Sequence, residues 1–321
     1  MSKSLSKAVV AVAASLIATT ALGPVAQADA SVNKVVVIGL DGTMYAKIKE
    51  TNVPNLKKLS ADGALSQYSI RPHTTISGPS WSSVLTGVWD TKHGVKDNNF
   101  DETPFTKWPS VFTRLEKAQP QLNTAAIATW SKIATIAGSG NPHADVVVTT
   151  PPVPGDSNES KTDTATADAA VAAIGKGTDF LFTHLDQVDE AGHECGRVCQ
   201  KYADAIRRVD VEVGKIVAAV DKRAASKPNE KWTIMVTTDH GHRTLGGHGG
   251  QSDAETSSFL IARGPDFKAG PTGGAYTFVD IVPTVLQLFG APPADNLDGK
   301  SMIGRLVSAA PEDLSGESLT D

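Results

Sequence analysis

The feature that most limits what this chain can fold into is a short apolar run with no polar alternation. KVVVIG at residues 34–39 places five consecutive positions in one unbroken stretch. A half-exposed strand would alternate, so a strand here is buried on both faces. Strands of that kind sit inside parallel sheets covered by helices. Similar runs recur at residues 124–129, 145–149, 179–185, 232–238 and 257–262. Helical patterns fall between them. One starts at Pro54, one covers about residues 79–85, and others cover 165–174, 194–223 and 278–288, while 150–163 reads as loop. Strands alternating with helices predict an α/β fold, a largely parallel central sheet with helices on both faces. Ligands of such sheets gather at the carboxyl ends of the strands.

The first thirty residues read differently. Lys3 and Lys7 precede an apolar stretch, Gly23 and Pro24 break it, and Ala28-Asp29-Ala30 is a small-x-small cleavage site. This is the pattern of a secretory signal peptide cut after Ala30. The site is not followed at once by a lipid-accepting cysteine, and no later segment reaches the roughly 18 apolar residues of a membrane span. An exported protein without a membrane anchor is the expectation. Its catalytic domain would cover residues 31–307, followed by a disordered tail at 308–321.

The leader leaves 291 of the 321 residues, which one large α/β domain can accommodate. The leader also removes Lys3, Lys7 and Asp29, so the remainder carries 28 basic and 34 acidic residues, net −6. That balance offers no basic face for nucleic acid. Only two cysteines are present, Cys195 and Cys199. Export permits a disulfide, and the spacing of four leaves either a bridge or two thiols.

Several strand ends carry metal-ligand chemistry. The first strand leads to Asp41. The one ending near Leu185 leads to Asp189 and His193. The one ending at Thr238 leads to Asp239, His240 and His242, and GGHGG then supplies His248. Asp41, Asp189, Asp239, His193, His240 and His248 make six ligands, enough for two divalent ions. Their imidazoles favour zinc over magnesium or calcium. The stretch HTTISGPSWSSVLTG at 73–87 adds a crowd of hydroxyls at a helix start. Pro79 suits the first turn of a helix. Ser77 just ahead of it faces unpaired N–H groups and the positive end of the helix dipole.

The ordered series GLDGT, S-G-P-S with TG at 86–87, KHGV, DEAGH, DHG and GGHG resembles the alkaline phosphatase superfamily. The chain is most similar to its type I phosphodiesterase/nucleotide pyrophosphatase branch. The likeness runs from residue 34 to 305 and includes FVDIVPTVLQLFG and LDGKSM. It implies a three-layer alkaline phosphatase-like sandwich and two metal sites. Asp41, Asp239 and His240 would hold one cation with the nucleophile, and Asp189, His193 and His248 the other. Zinc is expected, with manganese as the alternative. The family position two residues before a proline makes Ser77 the nucleophile, with Thr74 and Thr75 as rivals. In the implied reaction Ser77 attacks phosphorus in line, the alcohol departs, and water cleaves the resulting phosphoserine.

Departures from relatives narrow the ester. Trp81 stands where sulfatases carry an arginine, and Gly78 where alkaline phosphatases do. A missing guanidinium suits a diester's single charge. Ser80, Asn98 and Asn99 are candidate donors to the substrate, and His184 and His242 candidate supports for the ligands. The expected substrate is a small phosphate ester or nucleotide. A phosphomonoesterase or phosphonate hydrolase is the alternative within enzymes, and a metal-binding exported protein without turnover the alternative outside them.

Overall fold

The computed structural model describes residues 31–305. The expected leader at 1–30 and the tail at 308–321 lie outside the described residues. Eight strands form one sheet. They are β1 (Val32–Leu40), β2 (Ala64–Ser69), β3 (Thr124–Ala128), β4 (Val146–Thr149), β5 (Phe180–Leu185), β6 (Glu230–Thr237), β7 (Ser257–Arg263) and β8 (Gly270–Pro271). Their order across the sheet is β4-β3-β5-β1-β6-β7-β2-β8. The five strands from β4 to β6 are mutually parallel, and β7 runs against both of its neighbours.

The helices are α1 (Tyr45–Glu50), α2 (Pro54–Asp62), α3 (Ser77–Thr86), α4 (Asp90–His93), α5 (Thr103–Lys107), α6 (Val111–Ala118), α7 (Lys132–Ala137), α8 (Ser160–Lys176), α9 (Gln187–Cys195), α10 (Gln200–Ser226), α11 (Asp253–Thr256) and α12 (Ile281–Leu288). The central strand explains why they cover two faces. Val35 and Val37 enter one core with Trp81, Leu85, Phe112, Ile133 and Val282. Val36, Ile38 and Leu40 enter the other with Leu56, Ala170, Ile206 and Val213. Alternate side chains of one strand point to opposite faces, so an unbroken apolar run feeds two cores at once. Helices α3, α6, α7 and α12 form one outer layer, and α2, α8 and α10 the other. This is the expected α/β sandwich.

Three expectations are corrected. The segment 150–163 is not all loop, because α8 already begins at Ser160, just after Glu159 with φ 58°. The helix expected over 194–223 is two helices. Gly196, at φ 79° and ψ 172°, leaves the helical region and ends α9, and α10 restarts at Gln200. A residue with a side chain rarely adopts that φ, which is why the break falls on a glycine. The helix expected to start near Pro79 starts at Ser77, with Ile76 as its N-cap. Ser77 is therefore the first helical residue and not the residue ahead of the helix.

Candidate metal centre

Three adjacent parallel strands deliver the site. Leu40 pairs with Leu185, and Gly39 with both His184 and Thr237. The chain leaves all three strands at one level, so Asp41, Asp186, Asp189 and Asp239 emerge along one edge. The link from β6 to β7 starts and ends at that same edge, because β7 runs back down. One loop therefore supplies Asp239, His240, His242 and His248. It closes on α11, where Ser252 and Glu255 form a reciprocal capping box.

Asp41 is oriented from two sides. Trp81 Nε1 donates to its Oδ2 at 2.7 Å and His184 Nε2 lies 2.9 Å from the same oxygen. Trp81 reaches it by lying against Gly39, where an added Cβ would stand 2.5 Å from the indole. Asp41 Oδ1 is left buried with no hydrogen-bond partner. Asp239 repeats the pattern. Its Oδ1 accepts from the Gly42 and His240 N–H groups, each at 3.0 Å, and its Oδ2 has no hydrogen-bond partner. His240 Nδ1 lies 3.2 Å from Gly241 O, an acceptor, so the ring presents Nε2 to the centre. That nitrogen is 3.0 Å from Asp239 Oδ2, 3.6 Å from Asp41 Oδ1 and 3.2 Å from Ser77 Oγ.

A second group lies beside it. Asp189 Oδ1 is 2.8 Å from His242 Nε2 and 3.6 Å from His248 Nε2, and its Oδ2 is 3.2 Å from His193 Nε2. His248 Nδ1 is 2.6 Å from Thr75 O, which turns its Nε2 toward His193 Nε2 at 3.0 Å. The rings of His240 and His248 stack at 3.7 Å.

The buried carboxylates crowd one another. Burial, then the charges of Asp239 and Asp189, push Asp41 up to about 6. Burial and Asp189 push Asp239 up to about 7. Burial also acts on Asp189, but hydrogen bonds from His193 and His242 hold its carboxyl well below the usual range. His248 is forced down to about 3 by burial and by neighbouring His240, so its lone pair stays available. Ligand atoms of Asp41, Asp239 and His240 lie within 4.8 Å of one another, as do those of Asp189, His240 and His248. Bare buried carboxylate oxygens facing imidazole nitrogens are a fit for divalent cations.

Asn98 Oδ1 accepts from the Gly78 N–H at 2.7 Å, beside Ser77. Asn99 is exposed, and its N–H is turned to Asp97 Oδ1. Ser80 is buried and donates to Thr74 O at 3.1 Å. Thr75 spends its hydroxyl on the His248 loop, donating to Gly250 O and accepting from Gly249 N–H. Cys195 and Cys199 are disulfide-bonded. Asp186 was overlooked by sequence reasoning. Its carboxylate lies within 4.8 Å of ligand atoms of Asp41 and His184. It follows β5 as Asp41 follows β1, and that position was the available signal.

A family model described as type I phosphodiesterase / nucleotide pyrophosphatase matches residues 35–252. The chain belongs to that family. It is 24% identical over 245 residues to the human (Homo sapiens) ectonucleotide pyrophosphatase/phosphodiesterase family member 7, covering 72% of this chain and 52% of the relative. It thus spans about half the length of that curated relative. Murine ectonucleotide pyrophosphatase/phosphodiesterase 5 in complex with AMP superposes with a TM-score of 0.64 at 14% identity, over 82% of this chain and 96% of that one. A phosphonate monoester hydrolase from Silicibacter pomeroyi gives 0.62 at 17% identity, over 88% and 78%. These two likenesses bear on the fold, that of alkaline phosphatase-like enzymes.

Proposed function

We propose that the chain is a two-metal hydrolase of phosphate esters, of the phosphodiesterase/pyrophosphatase type, with Ser77 as its nucleophile. The observation that carries this is the position of Ser77 Oγ, 3.2 Å from His240 Nε2 at the first residue of α3. Asp41, Asp239 and His240 would hold one cation with Ser77, and Asp189, His193 and His248 the other. Three imidazoles among these ligands suit zinc, with manganese as the alternative. When bound, such a pair supplies Lewis-acid stabilisation of the attacking and leaving oxygens.

The chain's own groups do the rest. Ser77 Oγ forms a bond to phosphorus as the bond to the leaving oxygen breaks, and the alcohol departs with a proton. Water then takes the phosphoryl group from Ser77 and restores its hydroxyl. The positive end of the α3 dipole faces the phosphoryl oxygens, while the Gly78 N–H is held by Asn98 Oδ1 and the Ser80 N–H by Ile76 O. Asn98 is the side chain assigned to add a donor there, because the Ser80 hydroxyl proton is spent on Thr74 O.

The position after the nucleophile supports a diester. A Cβ at Gly78 would stand 2.6 Å from Asp97 O and 2.9 Å from the Phe100 ring. No guanidinium fits there to grip a dianion. A nucleotide diester or pyrophosphate is the substrate class this favours, in line with the relatives' names. Export through the leader at 1–30 belongs to the same reading. The Cys195–Cys199 bond supports it, since disulfides persist in oxidising compartments. No described helix is long and apolar enough to cross a membrane.

The test is a parallel assay of a bis-aryl phosphate, an aryl phosphate, an aryl sulfate and an aryl phosphonate. The diester should be cleaved with the highest kcat/KM. Preference for the monoester or the phosphonate would move the assignment to the phosphatase or phosphonate hydrolase alternative.

A further inference from the structure

We infer that the Cys195–Cys199 disulfide is a positioning device for the outer cation, the one assigned to Asp189, His193 and His248. The inference rests on the two-cation reading above.

His193 is the most exposed of the proposed ligands, with 49% of its side chain open to solvent. It sits in the last turn of α9, two residues before Cys195. Its placement therefore depends on how that helix end is held. The bond joins the last residue of α9 to Cys199, the N-cap of α10. It closes a small loop over Gly196, where the chain leaves the helix at positive φ.

That loop is docked on the segment that carries His248. The Arg197 N–H donates to Arg243 O at 3.0 Å, and the Gly247 N–H to Gly192 O at 3.3 Å. The contact is tight. A Cβ on Gly196 would stand 2.1 Å from Thr244 O and 2.5 Å from Gly246 N. The docked segment is a glycine-rich turn closed by the Arg243 N–H to Gly247 O at 3.0 Å and the Gly246 N–H to Arg243 O at 3.4 Å. Gly246, Gly247 and Gly249 all have positive φ, and Leu245 at its tip is 90% exposed. Glycines lose the most conformational freedom on ordering, so such a segment needs outside restraint. Fixing the end of α9 thus fixes His193 directly and, through the docked backbone, adds to the hold that Thr75 O and the Thr75 hydroxyl have on His248 and Gly249.

The inner group has other supports. Asp41 directly follows β1 and Asp239 lies two residues past the end of β6, and Trp81, His184 and backbone N–H groups hold them. Asp189 stands in the first turn of α9, away from the bridge, with His242 against it. Loss of the bridge should therefore weaken one cation and spare the other.

The experiment is a zinc titration of the full chain and of its Cys195→Ser/Cys199→Ser variant, with far-UV circular dichroism to confirm folding. The wild type should bind two zinc ions tightly. The variant should bind one as tightly, and the second about tenfold or more weakly, the usual cost of losing support around a ligand. Two equally tight sites in the folded variant would overturn the inference, as would equal weakening of both. A bridge that is only structural would lower the melting temperature and leave the two affinities alone. Should the variant not fold, wild-type protein reduced and alkylated at both cysteines gives the same comparison. A wild type that binds no second zinc would instead count against the two-cation reading.

Discussion

Trp81 Nε1 donates to Asp41 Oδ2 across 2.7 Å and so ties the helix that begins at Ser77 to the strand that ends at Leu40. The indole is fully buried, and Gly39 makes room for it. With His184 on the same oxygen, Asp41 can offer only Oδ1 toward Asp239 and His240. One tryptophan thereby ties the orientation of a proposed ligand, Asp41, to the helix that begins at Ser77.

Replacing Trp81 with Phe keeps most of the packing and removes the donor. Zinc affinity at the inner site should fall about 10- to 100-fold, the usual effect of losing a group that orients a ligand. Affinity at the outer site should hold. Isothermal titration of the variant checks this, and unchanged inner-site affinity would show that the indole only packs.

Asp239→Asn isolates the charge crowding. Asn retains an oxygen for the Gly42 and His240 N–H groups. In the metal-free protein Asp239 is held near 7, above its ordinary 3.8, so the folded state binds that proton more tightly than the unfolded state. The contribution of Asp239 is thus present at acid pH and is lost as pH rises through about 7. Metal-free wild type and variant should melt together near pH 4, and the variant should melt higher by pH 8. Saturating zinc should reverse the order at pH 8. A gap that does not change with pH would contradict the assigned crowding.

Much of the proposed centre is legible in the chain because its proposed ligands follow buried apolar runs. Asp41 after KVVVIG and Asp239 after WTIMVTT stand where a parallel sheet must present them. Other features depend on contacts distant in sequence. Strand β2, ALSQYS, has little apolar character and exists by pairing with β7. The turn of Asn98 onto the Gly78 N–H joins residues 20 apart through a loop of no regular pattern. Gly192 is needed because the His242 ring lies 2.4 Å from where its Cβ would be, and nothing near Gly192 in sequence signals that. The break at Gly196 was hidden by apolar spacing that runs through it.

Asn98→Ala tests the phosphoryl-binding role. It removes the amide assigned as a donor, together with the oxygen that accepts from the Gly78 N–H, and leaves every proposed metal ligand in place. A donor aimed at developing charge contributes about 10²-fold or more to turnover. The diester kcat/KM should drop by about that factor with zinc content unchanged. An effect within about twofold would assign the asparagine to loop structure alone.

The most direct measurement is diester turnover by Ser77→Ala protein whose zinc content has been counted. The account predicts two zinc ions per chain and hydrolysis reduced by at least about 10³-fold, since the group that bonds to phosphorus is gone. Turnover near the wild-type rate with both ions bound would contradict it, and would return Thr74 or another oxygen to the role of nucleophile.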